Sequence, residues 1–321
     1  MFKPTILQGA RGRSLLQRSV ALAVAAVLAG CAVGPNYKRP NTPVAQQYAG
    51  AEATTYTAAE QAQAQFWTQF DDATLNQLVN DALLANHDLR IALGHLVEAR
   101  AARRESLFNL GPTVTAAADH TNELVPPVQA GFPFSTSYYE AGFDATWELD
   151  LFGRVRRGVE ARRAELQGAQ ASLQDAQVSV TAEVARTYFE LRGEQTQLAV
   201  AERNVVNQTD TLKLTQARLD AGRGTELDTT RAQSQLSTTL STIAPLQAAV
   251  ARSIHRLGVL TGRDPDALTT LLAPAKDLPG LPKIAAIGDP ASLLRRRPDI
   301  RVAERQLAAS TALVGVAVGD Y

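Results

Sequence analysis

Residues 155–221 contain no proline, and apolar side chains recur through them at every seventh position. Val159, Leu166, Leu173 and Val180 make one run; Val184, Leu191, Leu198, Val205, Leu212 and Leu219 make the next. Proline removes a backbone donor and clashes with the preceding turn, so its absence permits one unbroken helix. At 1.5 Å per residue, about 65 residues give roughly 100 Å of helix, against the dozen residues of an ordinary one. No compact domain encloses such a length. The step from Val180 to Leu191 is eleven residues, a stutter that locally unwinds a supercoil. The remaining positions are rich in Ala, Ser, Thr and Gln. That composition suits a wall of helices packed sideways and wet on both faces at least as well as a two-stranded coiled coil.

Shorter helices surround this one. Leu75, Ala82, Leu89 and Leu96 form one seam, and Leu78, Ala85, Ala92 and Ala99 a second. Asn86 interrupts them, so the pattern predicts helices over 73–85 and 87–110, stopped by Gly111-Pro112. The long helix ends at Ala221-Gly222-Arg223-Gly224-Thr225. Gly222 suits a left-handed C-cap. Thr225 caps a return helix over 225–260, with Asp228 three residues on as a variant capping box. Leu236, Ile243, Val250 and Leu257 line that helix, and Pro245 is expected to kink it.

Between the helical segments lies a hairpin, about 113–149. Residues 113–121 alternate weakly, with Val114, Ala116 and Ala118 on one side. Residues 136–150 alternate strongly: Tyr139, Ala141, Phe143, Ala145, Trp147 and Leu149 against Tyr138, Glu140, Gly142, Asp144, Thr146 and Glu148. A loop over 122–135 carries Pro126, Pro127, Gly131 and Pro133. Two readings fit. One is a half-buried hairpin of a soluble domain. The other is a barrel hairpin that crosses a membrane, aromatic outside and polar toward the lumen.

The pattern alone favours the first, and the N-terminus turns the preference to the second. Lys3, Arg11, Arg13 and Arg18 precede a ten-residue apolar run at 20–29, too short to span a bilayer and right for a secretory signal. Leu28-Ala29-Gly30-Cys31 then resembles the lipobox of bacterial lipoproteins. That resemblance implies cleavage before Cys31, which takes an S-diacylglycerol and an N-acyl group. Ala32 in place of Asp implies export to the outer membrane. Several acyl chains give stable anchoring. Residues 31–65, polar and carrying Pro35, Pro40 and Pro43, read as an extended tether.

Composition excludes several functions. With 32 basic and 32 acidic residues nothing in the chain suggests a surface for nucleic acid. One cysteine excludes an internal disulfide and a Cys-based zinc cage, and His87, His95, His120 and His255 lack metal-ligand spacing. No phosphate loop or nucleophile elbow is present, so neither an enzyme nor a cofactor is expected.

Residues 82–102 reappear at 293–313. Leu83, Asp88, Arg90, Ala92, Leu96 and Ala101 match Leu294, Asp299, Arg301, Ala303, Leu307 and Ala312 at an offset of 211. This divides the chain into a signal peptide (1–30), the tether (31–65), a first repeat (66–275) and the start of a second (286–321). The second copy stops where its own hairpin is due, and a C-terminally truncated chain is expected.

The segments CAVGPNYKRP, FWTQFDDATLNQLVNDALLANHDLRIA, WELDLFGRVRRGVEA, ARTYFELRGEQTQLAVAERN, RLDAGRGTELDTTRAQSQL, LTGRDP and LLRRRPDIRVAERQL span Cys31 to the end. In that order they resemble the TolC-like outer-membrane efflux factors, in their NodT-type lipoprotein branch. The resemblance implies a mainly α fold: long antiparallel helices forming a protomer of an α-barrel tunnel, with a transmembrane β-hairpin. It implies a homotrimer at the outer membrane, a periplasmic adaptor and an inner-membrane pump of the RND type. Drugs or other small molecules would leave through a passive duct. Glu140, Asp144 and Glu148 become candidate lumen residues. Gly222, Gly224, Thr225, Glu226 and Asp228 become the candidate periplasmic tip, with capping the preferred role for Asp228. The competing expectations are a non-conducting helical lipoprotein that spaces the envelope, and an inactive truncated fragment.

Overall fold

The computed structural model describes residues 32–45, 48, 56–57, 65–125, 132, 134–280, 285–286 and 289–321. Residues 1–31, with the signal and Cys31, lie outside them. In chain order the elements are β1 (Tyr56–Thr57), a 3-10 turn (Phe66–Phe70), α1 (Ala73–Ala85), α2 (His87–Phe108), β2 (Thr113–Val125), β3 (Phe134–Thr146), α3 (Arg154–Asp220), α4 (Glu226–Leu260), α5 (Thr269–Leu272), β4 (Ala285–Ala286), α6 (Pro290–Arg296) and α7 (Pro298–Gly319). The fold is mainly α. Two compact units divide it: the described residues of Met1–Asn41 with Leu96–Ala169 and Val302–Tyr321, and those of Thr42–His95 with Gln170–Arg301.

Helix α3 runs 67 residues without a break, about 100 Å at the α-helical rise. Its start is set by Asp150, whose carboxylate accepts the Val155 N–H at 3.1 Å and the Arg156 N–H at 2.9 Å. Helix α4 continues through Pro245. Between α1 and α2, Asn86 does two jobs. Its Oδ1 accepts the Asp88 and Leu89 N–H groups at 2.9 and 3.2 Å, while Nδ2 donates to the Leu260 carbonyl at 2.9 Å. It is an N-cap that also ties the helix pair to the end of α4.

The core of the second unit follows the expected α1 seam. Leu75, Leu78, Val79 and Ala82 pack with Val180, Val184, Tyr188 and Leu191 of α3 and Ile254, Leu257 and Leu260 of α4. Arg192 is fully buried among them. Its Nη1 donates to Gln195 Oε1 at 2.7 Å and to the Pro274 carbonyl at 3.0 Å, and its guanidinium lies 4.9 Å from the centre of the Tyr188 ring.

In the first unit the seam differs from the heptad reading. Leu166 is only half-buried and Val159 likewise, whereas Arg157, Ala161, Ala164 and Gly168 are buried. Ala164 clusters with Ala308 and Ala309 of α7. A Cβ on Gly168 would sit 3.6 Å from the Cβ of Arg305. Small side chains let two helices approach closely, and that contact wins over the larger residues two positions away.

The segment after residue 31 is extended, and Val33, Gly34, Asn36 and Tyr37 are hydrogen-bonded into the first unit. Further on, β1 pairs in parallel with β4, Tyr56 opposite Ala285 and Thr57 opposite Ala286. The starts of α2 and α7, His87 and Pro298, are 211 residues apart, and so are their ends, Phe108 and Gly319.

Candidate functional site

Two sites were indicated by the sequence, one in each unit: the hairpin in the first and the helical turn in the second. Strands β2 and β3 pair antiparallel over thirteen residues each, from Thr113 opposite Thr146 to Val125 opposite Phe134. This corrects the expected boundaries: the first strand extends four residues beyond 121, and the second ends at Thr146 instead of 150.

Side chains of directly opposite residues share a face. Val114 lies opposite Ala145, Ala116 opposite Phe143, Ala118 opposite Ala141 and His120 opposite Tyr139. The last pair stacks, ring centres 4.4 Å apart. The other face carries Thr115 opposite Asp144 and Asp119 opposite Glu140, with Glu123 opposite Thr136 beyond them. All of β3 is exposed; Phe143 and Tyr139 keep 83% and 79% of their surface open. Neither strand has another strand neighbour among the described residues.

Glu140 and Asp144 are thus brought onto one face, as the alternation indicated. Glu148 is not with them. It lies two residues past the end of β3 and is ion-paired with Arg154 at the start of α3. Asp119 and Glu123 were missed, because the alternation of the first strand is weak. Counting on in steps of two from Thr113 and Thr115 reaches both. Like charges directly opposite destabilise a strand pair, so Asp119 and Glu140 are not explained by stability.

The helical turn is built as its residues dictate. Gly222 has φ 69°, the left-handed region that glycine enters without Cβ strain. Its N–H donates to the Leu219 carbonyl at 2.9 Å, and the Arg223 N–H reaches the Arg218 carbonyl at 2.8 Å. These two bonds are the Schellman pair. A Cβ on Gly224 would lie 3.2 Å from the Leu219 nitrogen, so the chain passes close there. Thr225 Oγ1 accepts the Asp228 N–H at 3.2 Å, and Asp228 Oδ2 accepts the Thr225 N–H at 3.2 Å and hydroxyl at 2.7 Å. The Thr225 hydroxyl bond, helped by the backbone one, holds the Asp228 carboxyl below its ordinary pKa. Glu226 is exposed in the first turn of α4, where negative charge complements the helix dipole. Beside the turn, α3 and α4 leave a groove of 1150 Å³ lined by residues that include Leu212, Gln216, Leu219, Glu226, Thr230 and Ser237.

No helix among the described residues is long and apolar enough to cross a membrane. Residues 78–263 match the model of the outer membrane efflux protein family. The chain is 32% identical over 316 residues to the probable efflux pump outer membrane protein TtgC of Pseudomonas putida, covering 95% of this chain and 63% of that protein. It is 29% identical to nodulation protein T of Rhizobium leguminosarum bv. trifolii, covering 91% and 62%. Among solved structures, the outer-membrane channel OprN superposes with a TM-score of 0.82 at 43% identity, covering 90% of this chain and 65% of that one. The chain therefore spans 62% to 65% of the length of these relatives. The matched region holds both the hairpin and the helical turn, and the chain belongs to the outer membrane efflux protein family.

Proposed function

We propose that the protein is the outer-membrane component of a tripartite efflux system, a passive exit duct for drugs or other small molecules. One observation carries this reading: a hairpin of two thirteen-residue strands, exposed along its length, with an aromatic apolar face and an acidic opposite face. Thirteen residues at about 3.3 Å reach roughly 43 Å, and a tilt of about 45° brings that to roughly 30 Å, the thickness of a hydrocarbon core. Lipid does not tolerate unpaired backbone groups at a sheet edge, so the two free edges call for closure between copies. Three copies around one axis satisfy this when each brings a second hairpin as well, since a six-stranded barrel leaves no room for water. Cys31 supplies the lipid anchor.

In this reading the apolar face meets lipid and the face with Asp119, Glu140 and Asp144 lines the water path. Acidic lining favours cations over anions. The turn at Gly222–Asp228 meets a periplasmic adaptor, which couples the duct to an inner-membrane pump of the RND type. The family name and the relatives' names support transport without bond chemistry.

The test is planar-bilayer recording on the reconstituted protein, with gel migration before and after heating. The expected result is a heat-modifiable band and a cation-selective conductance whose selectivity falls in Glu140→Gln/Asp144→Asn. Heat-independent migration with no conductance would instead support an envelope spacer.

A further inference from the structure

The segment just after the anchor position is gripped by one side chain. Arg157, its side chain 5% exposed, directs Nε to the Val33 carbonyl at 3.1 Å and Nη2 to the Gly34 carbonyl at 3.2 Å and Asn36 Oδ1 at 2.8 Å. Its remaining nitrogen, Nη1, is held by Glu160 at 2.7 Å. Arginine is the residue for this task, because its rigid fork presents several donors in fixed directions.

The rest of the segment is equally fitted. The Val33 N–H donates to the Phe152 carbonyl at 2.9 Å. Gly34, at φ 90°, lies so close to Gly315 that a Cβ would stand 2.5 Å from its Cα. The Tyr37 hydroxyl donates to Glu304 at 3.2 Å beneath Arg305, and Arg39 pairs with Glu304 at 3.0 Å. Residues 32–39 are therefore a strap fastened across α3 and α7.

The strap begins at a distinctive place. Ala32 abuts Gly153, where a Cβ would come within 2.7 Å of its Cα. The six residues before Gly153 contain Trp147, Leu149, Leu151 and Phe152, with 56%, 62%, 50% and 62% of their surfaces exposed. Trp147 donates its indole N–H to the Leu110 carbonyl at 3.2 Å, beside exposed Phe108 and Leu110. Exposed apolar side chains grouped in this way mark a contact surface. Trp147 follows directly on Thr146, the last residue of β3, so this apolar collar adjoins the foot of the hairpin. Its charged border is the Glu148–Arg154 pair. An indole with an apolar body and a satisfied N–H suits the boundary between acyl chains and headgroups.

We propose that the collar Trp147–Phe152 rests at a lipid–water interface, and that Arg157, as a positioning residue, sets its depth by fastening the strap. This rests on the outer-membrane reading above. The experiment uses the chain in a Trp67→Phe background, which leaves Trp147 as its one tryptophan. It is reconstituted in phosphatidylcholine vesicles brominated either near the headgroup or near the acyl-chain ends. Trp147 fluorescence should be quenched about twofold more by the shallow bromines than by the deep ones. Arg157→Ala should flatten that difference, and so should Gly34→Val, which lifts the strap without altering α3. Circular dichroism confirms that each variant keeps its helices. A Phe143→Trp/Trp147→Phe variant in the same background reports on the hairpin itself. If the indole introduced at position 143 is quenched by deep bromines while Trp147 is quenched by neither lipid, the collar is not a lipid contact. If the Trp147 profile is unchanged in both strap variants, Arg157 does not set its depth. If neither position is quenched, the outer-membrane reading fails, and this proposal with it.

Discussion

Tyr188 donates its hydroxyl hydrogen to Oδ2 of Asp72 at 2.7 Å, while Oδ1 of the same carboxylate accepts the Thr74 and Leu75 N–H groups at 2.8 and 2.9 Å. One side chain thus caps α1 and ties it to α3. Burial pushes the Tyr188 phenol above its ordinary pKa; Arg192 opposes that and the Asp72 bond adds to it. Tyr188→Phe should lower stability by about 1 kcal/mol, the net value of one hydrogen bond. Asp72→Ala should cost about 2 kcal/mol, because it removes the cap and orphans a buried hydroxyl. A double-mutant cycle by urea denaturation should show coupling of at least about 0.5 kcal/mol.

Asp228 predicts how the helical turn responds to acid. Its carboxyl is held below the ordinary pKa by the Thr225 hydroxyl. A depressed folded-state pKa gives stability that is present above the unfolded value and lost as pH falls through the folded one. The turn should therefore stay protected at neutral pH and fray only below the ordinary carboxylate range. Amide exchange of residues 225–229 should show this, and Asp228→Asn should remove the pH dependence.

The small-residue seam in the first unit makes a contrary prediction to the heptad. Ala164→Leu places three carbons into the close contact with Ala308 and Ala309 and should cost about 1–3 kcal/mol. Leu166→Ala, at a half-buried site, should cost less. Thermal unfolding of the two variants ranks them.

Much of the fold was legible because helix limits are written in local chemistry. Asn86, Gly222 and the Thr225–Asp228 box mark helix ends by hydrogen bonds that reach only a few residues. The hairpin was legible from its strict alternation in residues 136–146. The strap was not, since Arg157 binds main-chain carbonyls and any sequence offers those. The Ala161–Ala164–Gly168 seam was hidden because small residues score as weakly apolar, yet they permit the closest packing. Glu148 was misplaced because alternation runs past the point where the ladder stops, and Asp119 was missed because β2 carries only Ala116, Ala118, His120 and Asn122 between Val114 and Leu124 on its apolar face, too little to set its phase.

The central claim, that the hairpin crosses the outer membrane, is tested most directly by labelling its loop from outside the cell. Phe132, between the strands and 66% exposed, is replaced by cysteine (Phe132→Cys); Thr230→Cys beside the helical turn is the periplasmic control. A membrane-impermeant maleimide is applied to intact cells. The predicted result is labelling of the Phe132→Cys variant in intact cells, with the Thr230→Cys variant labelled only after the outer membrane is permeabilised. Labelling of both variants only after permeabilisation would contradict it.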